Sequence, residues 1–117
     1  MSQNLMQLLN EKNEMITKGL IVEASEKFYA DKTKTVDFTG TMTNGKKEHT
    51  ETMKNFVAAI AKVNEITLHR SGVGDGVTFA EFTFDFDMKD GSKIHWHEIL
   101  VSVWNDGLIV HEQYFQG

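Results

Sequence analysis

Three short turns that end in Asp-Gly separate four runs of alternating residues in the second half of the chain. The turns occupy residues 74–76, 89–91 and 105–107, and the runs cover residues 66–73, 77–88, 92–104 and 108–115. Alternation with a period of two is typical of strands that bury one face. An X-Asp-Gly turn suits a three-residue hairpin loop, because glycine adopts a left-handed conformation without steric cost. The sequence therefore predicts a four-stranded antiparallel meander.

The first half of the chain has helical spacing instead. Apolar residues recur every three or four positions between residues 4 and 30, and Lys18-Gly19 interrupts them, which indicates two helices joined by a short break. The threonine-rich residues 35–42 are predicted to form a short strand. A third helix is indicated by one apolar face, made of Met53, Phe56, Val57, Ile60 and Val63. The predicted class is α+β, with three helices packed on a mostly antiparallel sheet of one short strand and the meander.

Composition limits the functions that are open to the chain. Its 117 residues suit a single domain over residues 1–117. A net charge of −5 argues against nucleic acid as a partner, because phosphate binding needs a clustered basic surface. The sequence has no cysteine, which fits a reducing compartment, and no apolar run of the kind found in membrane spans or signal peptides. We therefore expect a cytoplasmic protein without a membrane segment.

The turns also predict which side chains share a face of the sheet. With three-residue loops, even-numbered residues always lie opposite even-numbered residues. The even face is apolar on every strand, so it is predicted to lie under the helices. Its members are Ile66, Leu68, Phe82, Phe84, Phe86, Trp96, Leu100, Trp104 and Val110.

Two carboxylates and one phenol are predicted to lie on this inner face. In the predicted register Glu98 pairs with Phe82 and Tyr114, while Glu112 lies beside Leu100, diagonal to Glu98. A buried carboxylate raises its pKa, finds a hydrogen-bond donor or lines a wet cavity. These residues are therefore candidates for acid–base chemistry, although a buried pair satisfied by Tyr114 and backbone groups, or a position at a pocket rim, would explain the same pattern.

The odd-numbered face is predicted to point away from the helices. His95 and His97 lie on it, and a His-X-His pair on one strand face can bind a metal ion. No inward acid can join them, so we expect no metal site. A broad apolar strip on the same face favours a homodimer contact instead, made by His97, Ile99, Val101 and Val103.

Two segments, "FYADKTKTVDF" and "WNDGLIVHEQYF", together with the order of helices and strands, resemble the SnoaL-like branch of the nuclear-transport-factor-2-like (NTF2-like) superfamily. The resemblance implies a single cone-shaped domain whose curved sheet encloses a pocket, and it implies a dimer. Its members include polyketide cyclases, ketosteroid isomerases and dehydratases. By this resemblance Asp37 stands where the isomerases have their general base, and Glu112 and Tyr114 stand where the cyclases have a polar pair.

Two functions follow as hypotheses. The first is a cofactor-free isomerase, cyclase or dehydratase for a small apolar carbonyl compound, in which Asp37 or Glu98 moves a proton and Tyr114 or the partner acid donates to the developing oxyanion. The second is a non-catalytic dimeric module that binds a small ligand or only associates. Either function predicts the same pocket lining, namely Phe56, Phe82, Phe84, Trp96 and Leu100.

Overall fold

A computed structural model describes residues 4–116; residues 1–3 and 117 of the predicted domain lie outside the described residues. The elements in chain order are α1 (Leu5–Thr17), α2 (Ile21–Phe28), β1 (Tyr29–Val36), β2 (Met42–Asn44), α3 (Lys46–Ala58), β3 (Ile60–Gly74), β4 (Val77–Met88), β5 (Lys93–Asn105) and β6 (Leu108–Gln116). The strands form one sheet in the order β2-β1-β6-β5-β4-β3, in which only the β1–β6 pair is parallel within the described chain. The predicted α+β class is confirmed.

The two N-terminal helices form as predicted, with a break at Gly19. The Asn4 side chain accepts hydrogen bonds from the backbone N–H groups of Met6 and Gln7 and so caps the start of α1. Gly19 has a φ of 81°, a left-handed conformation that suits glycine at a helix end. Inward-facing residues of α1 and α2 join the sheet in one core; they include Leu9, Ile16, Ala24 and Phe28. No helix within residues 4–116 is long and apolar enough to cross a bilayer.

The predicted bounds are wrong at two places in the first half. The strand predicted over residues 35–42 is instead β1, which runs from Tyr29 to Val36, followed by a turn and the short strand β2. Helix α3 ends at Ala58, so Ile60 and Val63 belong to β3 rather than to the helix. Pairing decides both outcomes, because β1 lies between β2 and β6, and β3 pairs with β4 from Ile60 onward.

The three Asp-Gly hairpins are of two kinds. The loop at residues 89–91 has three residues as predicted, with Met88 N–H donating to the Ser92 carbonyl at 2.9 Å. The other two loops have only two residues, because Gly74 pairs with Val77 and Asn105 pairs with Leu108. Asp75-Gly76 and Asp106-Gly107 have positive φ at both positions, from 50° to 78°. This is the conformation of type I′ turns, for which Asp-Gly is a preferred sequence.

Each hairpin with a two-residue loop also contains a β-bulge, and the bulge restores the predicted orientation of the side chains. The register shifts between Leu68 and Arg70, where His69 of β3 is the extra residue, and opposite Val103 and Trp104, where Val110 of β6 is the extra residue. A bulge inserts one extra residue and therefore exchanges the two faces once more. Beyond the bulges, the even-numbered side chains face the helices, as predicted for Phe82 and Phe84. Near the last turn the prediction is wrong, because Ile109 rather than Val110 is buried.

Candidate functional site

The inner face of the sheet and the helices enclose a cavity of about 380 Å³. Four of the five predicted lining residues do line it, namely Phe56, Phe84, Trp96 and Leu100. Phe82 does not, because it is fully buried beside Phe84, with the two rings stacked at 5.3 Å. Polar groups reach the cavity from α1, α2, α3, β1, β5, β6 and the turn after β1; they include Lys12, Ser25, Tyr29, Asp37, His49, Glu98 and Tyr114. The cavity is therefore mostly apolar, with a few convergent polar groups, as is typical of small-molecule sites.

Glu98 is buried on β5 and faces the cavity. Its neighbours across the sheet are Phe82 and Gln116, and only 7% of the residue is exposed. Burial, with smaller contributions from the Glu112 and Asp37 carboxylates, raises the pKa of Glu98 to about 7. Within residues 4–116 no hydrogen bond to its carboxyl contributes to that pKa. The carboxyl is thus free to bind a ligand and can both give and take a proton near neutral pH.

Asp37 lies in the turn that follows β1, and its carboxylate is already engaged. Asp37 Oδ1 accepts hydrogen bonds from the backbone N–H groups of Thr39 at 2.9 Å and Thr41 at 3.0 Å, and from Thr39 Oγ1 at 2.5 Å. The hydrogen bond from the Thr39 hydroxyl is the main reason why the pKa of Asp37 is lowered. Burial acts to raise that pKa, and the hydrogen bonds from the backbone N–H groups lower it further. Asp37 therefore borders the cavity as an ionised carboxylate that closes its own turn.

Glu112 is fully buried on β6 and forms an ion pair with Lys12 of α1. Lys12 Nζ lies 3.0 Å from Oε2, Ser102 Oγ donates to the same oxygen at 2.5 Å, and Tyr29 OH donates to Oε1. Burial would raise the pKa of Glu112, but the Lys12 ammonium and the two hydroxyls outweigh it and hold that pKa below its usual range. Glu112 is thus an ionised group with its partners in place.

The predicted contacts among Glu98, Glu112 and Tyr114 are displaced by two residues. Tyr114 pairs with Leu100 and lies diagonal to Glu98, whereas Glu112 pairs with Ser102. The two-residue loop at Asp106-Gly107 and its bulge cause the displacement, because the loop was predicted to have three residues. Glu98 and Glu112 are therefore not diagonal neighbours, while Tyr114 is the diagonal neighbour of Glu98.

Tyr114 contacts a histidine that the sequence analysis did not include. Tyr114 OH lies 3.1 Å from Nε2 of His49 on α3, and Nδ1 of the same ring lies 2.7 Å from Ser25 Oγ. The His49 ring stacks on Tyr29 with a centroid distance of 4.6 Å. Burial lowers the pKa of His49. The negative charge of Glu112 acts to raise that pKa, and the positive charge of Lys12 lowers it further. The imidazole is therefore neutral at pH 7.

The outer face of the sheet carries a patch of exposed apolar side chains. We call it the outer patch; it consists of the exposed Phe79, Val103 and Phe115, of which Phe79 and Phe115 are 44% exposed, and of the half-buried Ile99 and Val101 between them. His97 lies next to it, with Nε2 2.5 Å from Oε2 of Glu81, and His95 contacts Asp85 at 3.2 Å. The imidazoles of β5 thus pair with carboxylates on the side of the sheet opposite the cavity.

No family model matches the sequence, and no curated protein matches it. A protein from Mesorhizobium loti, described as a candidate SnoaL-like polyketide cyclase, matches with a TM-score of 0.86 and 17% identity over 97% of this chain and 99% of that chain. An NTF2-like protein of unknown function from Burkholderia pseudomallei matches with a TM-score of 0.79 and 13% identity over 98% and 92%. The chain has the SnoaL-like, NTF2-like fold.

A third similar structure shares the fold and holds a small molecule. This protein from Catenulispora acidiphila has a ketosteroid isomerase-like fold and was solved in complex with trimethylamine; its TM-score is 0.75, with 14% identity over 92% of this chain and 83% of that chain. The SnoaL-like fold implied by the sequence resemblance is therefore confirmed.

Two polar cavity residues that the sequence reasoning missed, Lys12 and His49, do have a signal in the sequence. Lys12 precedes Ile16 by four residues on the apolar face of α1, and His49 precedes Met53 by four and Phe56 by seven on α3. A polar residue at such a position points to the same side as the apolar residues. The spacing alone could have placed both side chains toward the cavity.

Proposed function

We propose that this protein is a cofactor-independent acid–base enzyme, an isomerase, cyclase or dehydratase, that acts on a small and mostly apolar carbonyl compound. The observation that supports it best is the Glu98 carboxyl, which faces an apolar cavity without a protein hydrogen bond in the described chain and has a pKa of about 7. General acid–base groups work best when their pKa lies near the operating pH. The cavity volume of about 380 Å³ suits a small molecule.

In the proposed reaction, Glu98 removes a proton from the carbon next to the carbonyl group and returns it at another position. Tyr114 donates a hydrogen bond to the carbonyl oxygen while negative charge develops there. The two side chains are diagonal neighbours on the cavity face, so one small ligand can contact both. Phe56, Phe84, Trp96 and Leu100 would hold the apolar part of the ligand.

Asp37 and Glu112 have a different part in this proposal. Both carboxylates contribute to the raised pKa of Glu98, and both are bonded to other groups of the protein. A carboxylate that is already stabilised by several donors is a weak base. We therefore assign proton transfer to Glu98 and assign to Asp37 and Glu112 a supporting role, since their negative charges add to the larger effect of burial on the pKa of Glu98.

Hydrogen–deuterium exchange tests the proposed activity directly. We expect the protein to accelerate exchange at the saturated carbon next to the carbonyl group of cyclic enones such as 2-cyclohexenone in D₂O, as measured by NMR. Glu98→Gln should reduce the rate by a factor of about 100 or more, because the proton acceptor is lost. Asp37→Asn, which changes a carboxylate at the same cavity, should retain a rate within about tenfold of the original, a reduction well short of that in Glu98→Gln.

The same experiment separates the enzyme from the second candidate function. Ligands that bind, as seen by shifts of cavity resonances, but show no accelerated exchange would support a non-catalytic module for a small ligand. The trimethylamine complex of the Catenulispora protein supports ligand binding in this fold without requiring chemistry. Equal exchange rates for the original protein and Glu98→Gln would contradict the proposed base.

We further propose a homodimer formed through the outer patch, with His97 at its edge. Five apolar side chains on one face of the sheet favour contact with a second copy over exposure to water. The net charge of −5 argues against nucleic acid as a partner. The absence of cysteine supports a cytoplasmic location.

Val101→Lys is expected to convert this dimer to a monomer. The substitution places a charge at the centre of the outer patch, between Phe79 and Gln113 across the sheet. Light scattering after gel filtration should give about twice 13.3 kDa for the original protein and 13.3 kDa for the variant. Val63→Lys is the matched control, because Val63 is 50% exposed and lies outside the patch. A monomeric original protein at high concentration would refute the dimer.

A further inference from the structure

A buried row of hydrogen-bonding groups leads from α2 and α3 to the cavity. Thr50 Oγ1 lies 2.8 Å from Ser25 Oγ, Ser25 Oγ lies 2.7 Å from His49 Nδ1, and His49 Nε2 lies 3.1 Å from Tyr114 OH. Ser25 is 1% exposed and His49 is 3% exposed. The row therefore ends at the phenol that faces the ligand space, and its inner members are shielded from water.

The neutral imidazole of His49, at the centre of this row, carries one N–H proton, which can be on either Nδ1 or Nε2. A neutral histidine donates with one ring nitrogen and accepts with the other. Both nitrogens of His49 have a hydroxyl within hydrogen-bond distance, so the two hydroxyls must take opposite roles. The ring plane is held by stacking on Tyr29, whose own hydroxyl donates to Glu112.

Two arrangements of the protons are possible, and they differ in what Tyr114 can do. In the first, Ser25 donates to Nδ1, Nε2–H donates to the Tyr114 oxygen, and the Tyr114 proton points away from His49, where Glu112 accepts it until a ligand oxygen takes its place. In the second, Tyr114 donates to Nε2 and has no proton left for the cavity. After the larger effect of burial, the Glu112 carboxylate raises the pKa of the Tyr114 phenol, both by its charge and by accepting a hydrogen bond from that phenol. That negative charge favours a Tyr114 proton directed away from His49, which is the first arrangement.

We propose that His49 is a positioning residue that accepts from Ser25, donates to the Tyr114 oxygen and so holds Tyr114 as a hydrogen-bond donor to the oxygen of a bound carbonyl ligand. The inference rests on the proposed function for the identity of that ligand. In this row each group that donates a hydrogen bond also accepts one. Successive hydrogen bonds polarise one another, so the hydrogen bond that the last donor makes is stronger. Thr50 Oγ1 lies 2.8 Å from Ser25 Oγ and extends this row; because Ser25 gives its own proton to His49 in this arrangement, Thr50 is the donor.

The tautomer of His49 tests this proposal without any ligand. Long-range proton–nitrogen NMR correlation on protein labelled with ¹⁵N-histidine should show a neutral ring protonated at Nε2 at pH 7. Ser25→Ala should move the Nδ1 resonance, because it removes the hydroxyl that donates there. A ring protonated at Nδ1, or at both nitrogens, would overturn the proposal.

Binding of 4-nitrophenol, whose anion absorbs visible light, gives the second readout. His49→Phe should weaken its binding about tenfold, which is the loss expected for one hydrogen bond. His49→Gln should stay within about threefold of the original, because the amide nitrogen can donate to Tyr114 in place of Nε2. Equal losses in both variants would contradict the positioning role.

The two proposals fail in different ways. If Glu98 is not a base, deuterium exchange is absent while the Nε2–H tautomer and the difference between the His49 variants remain. If His49 does not position Tyr114, the tautomer is the other one although Glu98-dependent exchange is still measured. The tautomer measurement uses the unaltered protein, so it decides the inference even where a His49 variant does not fold or the probe does not bind.

Discussion

Glu98→Gln is expected to make the protein about 3 kcal/mol more stable at pH 8 and to leave its stability at pH 4.5 nearly unchanged. Burial first, and then the Glu112 and Asp37 carboxylates, raise the pKa of Glu98 from 4.5 to about 7 in the folded state. Between pH 4.5 and about pH 7, Glu98 is protonated in the folded protein but ionised in the unfolded chain. The contribution of the protonated carboxyl to stability is therefore fully present below pH 4.5 and is lost as the pH rises through about 7.

Urea denaturation at pH 4.5, 6 and 8 measures this effect. The original protein and Glu98→Gln should have similar free energies of unfolding at pH 4.5 and should diverge as the pH increases, because glutamine keeps the shape of the side chain but cannot ionise. Glu14→Gln is a matched control, since Glu14 is exposed and contacts only Lys18 among the described side chains. Parallel pH dependences for the original protein and Glu98→Gln would show that Glu98 titrates normally.

The second large effect is expected at the buried ion pair. Lys12→Met should destabilise the protein by about 3–5 kcal/mol at pH 7, because it leaves a buried carboxylate without its counter-charge. Lys12 is 2% exposed and Glu112 is fully buried, so bulk water does not replace the lost counter-charge. The Ser102 and Tyr29 hydroxyls remain, but two neutral donors compensate a buried charge only in part.

A double-mutant cycle distinguishes loss of the ion pair from loss of packing. Lys12→Met combined with Glu112→Gln should be more stable than the sum of the single changes predicts, since the double variant has no buried charge at this place. Lys18→Met, which breaks the exposed pair with Glu14, should change the free energy of unfolding little. A double variant whose loss equals the sum of the two single losses would contradict the coupling.

Much of the fold could be predicted from the sequence because local signals and pairing agree there. The Asp-Gly turns and the apolar alternation of β4 and β5 locate three hairpins, and Phe82 pairs with Glu98 as predicted. β1 could not be located in the same way, because its inward-facing residues include Thr33 and Thr35, which carry no apolar pattern. Its position depends on pairing with β6, which lies some 80 residues further along the chain.

The candidate site could be predicted only in part, for a similar physical reason. Glu98 and Tyr114 were placed inward by strand parity, which needs only the correct face. The partners of Glu112 depend on register to the residue, and register depends on whether a loop has two or three residues. Lys12 reaches Glu112 across one hundred positions of sequence, a contact that no local pattern contains. The ionised state of the Glu112 carboxylate depends on that contact with Lys12.

The pairing of each two-residue turn with a bulge has a consequence for how such chains can diverge. A single inserted or deleted residue would normally turn an entire strand over, and so exchange core and solvent positions along its whole length. In this protein the change of register ends at the bulge of each hairpin, at Leu68–Arg70 and at Val103–Trp104. Hairpins in this architecture can therefore gain or lose a residue at their ends while the ligand-facing stretch of each strand is inherited intact.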